Sequence, residues 1–87
     1  VSDLDRLNRL RASAERLVNQ GFTRDEYTLT EIDILIGDAL IRRDYPETKY
    51  QLRLETLARK FNKSEKRIES ILRYRKNAIM KLEVNDE

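Results

Sequence analysis

The chain contains no cysteine and no histidine. Those absences exclude thiol nucleophiles, disulfides, Cys/His zinc sites, imidazole acid–base catalysis and histidine-ligated haem together. Tryptophan is missing as well, and two glycines and one proline leave little material for tight turns or strand bulges. Apolar runs stop after a few residues, far short of the roughly 20 that a membrane span requires or of a signal-peptide core. No membrane association is expected, and a cysteine-free chain fits a reducing intracellular compartment, cytoplasm with nucleoid or nucleus. The 87 residues suffice for one domain with a small core. The start at Val1, without an initiating methionine, suggests an excised domain or a processed chain.

Charge is what the sequence has in plenty. Charged residues make up 39% of it, mean hydropathy is −0.76, and the net charge is only +2. Split along the chain, that small sum separates. Residues 1–50 carry eight Lys/Arg against ten Asp/Glu, a net −2, and residues 51–87 carry ten against six, a net +4. Between Thr56 and Lys81 nine basic residues face only Glu65 and Glu69, which is +7 over 26 positions. A block this dense attracts polyanions by releasing their counterions. A solvated helix face would carry a similar charge run, so charge alone does not choose between the two.

Periodicity predicts helices throughout. Ser2 to Gln20 reads as an amphipathic helix, with Ser2 as cap, Asp3 and Asp5 at the positive end of the dipole and Gly21 as the stop. Leu4, Leu7, Leu10, Ala14, Leu17 and Val18 share its apolar side, suited to packing within the domain or to dimerisation. Gly21 to Leu29 is expected as a connector with a short capping signal, Thr23-Arg24-Asp25-Glu26. A second helix is expected from Thr30 as N-cap, with Asp33 reaching back, to about Arg43. Ile32, Leu35, Ile36, Ala39 and Leu40 form one apolar face, while Ile34 and Ile41 lie nearly opposite, close to Gly37. Two apolar faces place this helix centrally. After a loop pinned by Pro46, with Tyr45 and Tyr50 as lids on the core edge, a third helix is expected from about Leu52 to Phe61. Asn62 suits a tight left-handed turn, and Ser64 caps a fourth helix running to about Leu82.

The order helix, short turn, capped helix is that of a helix-turn-helix. Leu57 and Phe61 bury one member, small Ala58 allows close approach, and Ile68, Ile71 and Leu72 seat the other. The fold expected is therefore all-α: a small four-helix domain in which an N-terminal helix, 1–20, packs on a helix-turn-helix core, 27–83. With Ile68 pointing inward and about 100° per residue, Lys66, Ser70, Arg73 and Asn77 fall on the outer side of the last helix. Lys63, Arg67, Tyr74 and Lys81 flank that stripe, and Ser64 opens it. Cations for phosphates and guanine edges, an amide for adenine and hydroxyls as adaptable donors are what a major-groove helix presents. Glu69 can instead pair with Arg73 four residues later. Arg75 breaks the pattern, falling in line with Ile68, Leu72, Ile79 and Leu82. Either the helix leaves the core after Leu72, or Arg75 finds a carboxylate in the acidic half, Asp38 and Asp44 being candidates.

The stretch Tyr27-Thr28-Leu29-Thr30-Glu31-Ile32-Asp33-Ile34-Leu35-Ile36 resembles the opening of a Myb/SANT-type three-helix domain. Leu57-Ala58-Arg59-Lys60-Phe61-Asn62-Lys63-Ser64 is similar to the second helix of that family and its turn into the recognition helix. The same helix pair also resembles the DNA-binding region of sigma-type factors and of small phage or plasmid regulators. Both resemblances imply duplex DNA binding through the last helix, in transcription regulation or DNA organisation.

Other function classes have less behind them. Four serines without His or Cys, no Gly-rich phosphate loop and no carboxylate pair in an evident apolar pocket argue against an enzyme, and no cofactor or metal is implied. The competitor is a protein-interaction module, a homodimer or a partner complex, using the apolar faces of helices 2–20 and 31–43. The two readings are compatible, since helix-turn-helix proteins often bind matched half-sites as dimers.

Overall fold

The computed structural model describes residues 3–22 and 25–82. Four helices account for it, and no strand occurs among the described residues. They are α1 (Asp3–Asn19), α2 (Asp25–Asp44), α3 (Tyr50–Phe61) and α4. Helix α4 opens as Glu65–Ser70, passes through a π-helical turn at Ile71–Arg75 and ends as Lys76–Met80. No helix among the described residues is long and apolar enough to cross a membrane.

Helix α2 is the centre of the domain, as its two apolar faces require. It packs along α1 on one side and against α3, the π turn and the end of α4 elsewhere. Leu7, Leu10 and Ala14 of α1, Ile32, Ile34 and Leu35 of α2, and Leu54, Leu57, Ile68, Ile71 and Ile79 form one buried core. Ile34 and Ile41, the second apolar face, are respectively fully buried and packed against this core. Leu17 and Val18 are half-buried. Gly37 lets α3 approach: a Cβ there would lie 2.9 Å from Leu57 Cδ2 and 3.6 Å from Phe61 Cε2.

Three acidic residues of α2 each capture an arginine from a different helix. Asp33 accepts from Arg11 Nε of α1 at 2.6 Å, Asp38 from Arg53 Nε of α3 at 2.9 Å, and Glu31 from Arg75 Nε of α4 at 2.8 Å. Asp38 also pairs with Arg42 one turn along, at 3.0 Å. Arg6 of α1 closes the other end, donating to the carbonyls of Met80 at 2.7 Å and Leu82 at 2.8 Å. The arginine on the Met80 carbonyl satisfies an acceptor that the helix end leaves open and opposes its negative end, and the second bond holds the residues just beyond it.

Helix α1 ends as its glycine predicts. Gly21 has φ 98°, its N–H donates to Val18 O at 3.0 Å, and the N–H of Phe22 donates to Leu17 O at 3.0 Å. That bond pair is the Schellman arrangement, which needs a left-handed residue. The expected cap Ser2 lies outside the described residues, as do Thr23 and Arg24 of the second capping signal.

Several boundaries differ from the sequence expectation. Helix α2 begins at Asp25, so Thr30 is an interior residue and not its cap. Its hydroxyl donates to Glu26 O at 3.1 Å, the bond to the preceding turn that lets threonine sit inside a helix. Asp33 does not reach back to a cap, because Arg11 holds it. Helix α3 begins at Tyr50, two residues early, behind an extended Lys49. Tyr45 is no lid, being 69% exposed, whereas Tyr50 packs on the core with its hydroxyl buried and without a hydrogen-bond partner among the described residues. The last helix stops at Met80.

Candidate nucleic-acid interface

The turn between α3 and α4 is built by three residues. Asn62 adopts φ 54° and ψ 50°, and its N–H and that of Lys63 both close on Ala58 O. Ser64 is extended, and its Oγ accepts from the N–H of Arg67 at 3.1 Å, fixing the first turn of α4. Gln51 Nε2 donates to Glu65 Oε1 at 2.7 Å and so ties the start of α3 to the start of α4. Glu55, Ala58, Arg59, Asn62, Lys63 and Glu65 line an open groove on the outside of this turn.

The nine residues singled out in the sequence differ in how far they are committed. Lys63, Lys66, Asn77 and Lys81 are exposed, and their side chains make no hydrogen bond or ion pair among the described residues. Tyr74 is 72% exposed. Ser70 is half-buried, and the Ser64 hydroxyl already accepts the capping bond, which leaves its proton and one lone pair. Arg73 is exposed; its guanidinium lies 3.8 Å from Glu69 and 5.7 Å from the centre of the Tyr50 ring. Arg67 is half-buried, with a side chain 34% exposed. Its guanidinium stacks 4.8 Å from the Tyr27 ring centre, and Nη2 is 3.7 Å from Glu31.

Arg75 is not where an outward-facing cation would be. It forms a two-point pair with Glu31, Nε to Oε2 at 2.8 Å and Nη2 to Oε1 at 3.1 Å. The hydrogen bond to Glu31, followed by its charge, raises the arginine above its ordinary value. Asp38 and Asp44, two candidates from sequence, are held by other arginines: Asp38 by Arg53 and Arg42, Asp44 by its neighbour Arg43. Nor does the helix leave the core after Leu72, since Ile79 is fully buried.

The π turn explains the remaining departures. The N–H of Lys76 donates to Ile71 O, an i→i+5 bond, and each step of such a wider turn advances less around the axis than an α step. Residues beyond it are therefore set back relative to a regular wheel. Lys76 and Met80 are half-buried, while Leu82, expected in line with Ile68, follows the helix end and is 43% exposed.

Sequence reasoning missed Tyr27 and Glu31 as neighbours of α4. They stand four apart on α2, one above the other on a helix face, but Tyr27 had been assigned to a connector. It also passed over Arg59 and Lys60, which are exposed on α3 and extend the positive surface beyond α4. No protein-family model matches the chain, and neither a curated protein nor a solved structure matches it.

Proposed function

We propose that this domain binds duplex DNA without catalysis, through a helix-turn-helix formed by α3, the Asn62–Ser64 turn and α4, in transcription regulation or DNA organisation. One observation carries the reading: the separation of committed from uncommitted charge. Glu31, Asp33 and Asp38 each hold an arginine from another helix in an ion pair. Lys63, Lys66 and Lys81 stand in solvent along one helix and its entry turn, with Asn77 and Tyr74 among them. Lysines on such a helix attract phosphates, and an amide among them can read a base edge. Helix α4 is the recognition helix in this reading, and α1 braces its far end through Arg6.

The protein-interaction alternative has less surface at its disposal. Leu7, Leu10 and Ala14 of α1 and Ile34 of α2 are already buried within the domain.

Titration of a mixed-sequence duplex across a salt series tests the proposal. Micromolar association is expected at low salt, weakening steeply as salt rises. Changing Lys66, Arg73 and Lys81 to alanine together should abolish it and make the remaining salt dependence shallow. No association at low salt, or association indifferent to the triple change, overturns the proposal.

A further inference from the structure

We infer that Arg67 and Tyr27 form a phosphate-binding pair at the junction of α2 and α4, with Tyr27 as the platform that positions the arginine; this rests on the DNA reading above. The arginine is anchored by stacking and its hydrogen-bonding capacity is largely unspent. Its guanidinium lies 4.8 Å from the ring centre of Tyr27, and the tyrosine is itself 55% exposed, so the pair sits at the surface. Its contact with Glu31 is long, 3.7 Å, outside hydrogen-bonding range. Both oxygens of Glu31 already accept from Arg75, at 2.8 and 3.1 Å.

Two consequences follow from that division of labour. Arg67 can turn its donors outward without stranding a buried carboxylate, because Arg75 remains to balance Glu31. The carboxylate in turn does not repel an approaching phosphate strongly, since it is 1% exposed and paired at both oxygens with Arg75. Stacking holds a guanidinium in place through its face and leaves its N–H edge available for the fork geometry that phosphate oxygens accept. Arg67 belongs to the first turn of α4, directly after Lys66, so its anion would be a backbone phosphate flanking the bases that the outer stripe faces. The pair brings α2 into an interface otherwise made by α3 and α4.

The test uses the whole chain and a mixed-sequence duplex, with the Lys66/Arg73/Lys81 triple variant as control. Arg67→Ala and Arg67→Gln should each weaken binding by about tenfold at low salt. Each should lower the slope of log affinity against log salt by about 0.9, one phosphate's worth. Their Tm should stay within about 8 °C of wild type, since a surface stack contributes little to folding. Tyr27→Phe keeps the ring and should bind as wild type does. Tyr27→Ala should bind several-fold more weakly with the salt slope retained, because the cation remains and its platform is gone. If wild type binds and the triple variant does not, but the Arg67 variants keep wild-type affinity and slope, this inference falls and the DNA reading stands. The pair also falls if Tyr27→Ala binds as tightly as wild type. Absence of duplex binding by the wild-type chain overturns both.

Discussion

Glu31 of α2 and Arg75 of α4 meet across 44 positions of sequence in a two-point ion pair, with the carboxylate 1% exposed and the arginine side chain 42% exposed. A buried carboxylate is tolerable only with such a partner. Arg75→Ala leaves Glu31 with Arg67 alone at 3.7 Å. We expect a loss of about 2–3 kcal/mol, less than for a wholly buried pair because the guanidinium is partly in water. Urea denaturation measures it. Replacing both residues by methionine should restore stability to within about 1 kcal/mol of wild type. A double variant as unstable as the single one would contradict this account.

Gly37 of α2 faces Leu57 and Phe61 of α3, and Leu57, whose Cδ2 would lie 2.9 Å from an added Cβ, is itself 1% exposed. Gly37→Val should lower stability by about 1–3 kcal/mol through overpacking. The alanine variant should suffer less, since replacing glycine inside a helix returns up to about 1 kcal/mol. Thermal melts of the two proteins side by side check the order.

The turn into α4 can be probed at two positions, one a side-chain cap and the other a left-handed backbone. Ser64→Ala removes the acceptor for the Arg67 N–H and should cost about 1 kcal/mol. Asn62→Ala places a Cβ-bearing residue without a local hydrogen-bonding side chain at φ 54° and should cost about 1 kcal/mol as well, whereas Asn62→Gly should not destabilise. Equal losses for glycine and alanine at this position would show that the backbone conformation is not what selects asparagine.

Asp44, at the end of α2, is held below the usual aspartate range, chiefly by its hydrogen bond from Arg43. A carboxyl whose folded pKa is depressed stabilises the fold above its unfolded pKa and loses that contribution as pH falls through the folded value. Its NMR titration midpoint should therefore lie below that of a free aspartate and return toward it in Arg43→Ala. With the two side chains 61% and 49% exposed, the pair is screened by water and its effect on stability is small.

Much of the site was legible because its signals are local. Asn62 in the left-handed region, Ser64 as cap and the Ile68/Ile71 seam each depend on residues within a turn or two of one another, and all occur where expected. Thr30 misled for a related reason: a threonine hydroxyl satisfies either a cap or the carbonyl one turn earlier, and sequence alone does not choose. Packing of Leu29 against the core favours continuing the helix back to Asp25.

By itself the sequence determined four helices, the central place of the second and the gathering of positive charge on the last two. Periodicity and composition are properties of neighbouring residues, so no fold is needed to read them. Tertiary structure alone decided that Arg75 belongs to Glu31 rather than to Asp38 or Asp44, that Tyr27 lies under Arg67, and that a π turn resets the helix after Ser70. Each depends on which side chains meet when α2 and α4 pack, and several carboxylates were equally plausible on charge. Distance in the folded chain chose among them, because only an arginine within reach can balance a carboxylate withdrawn from water.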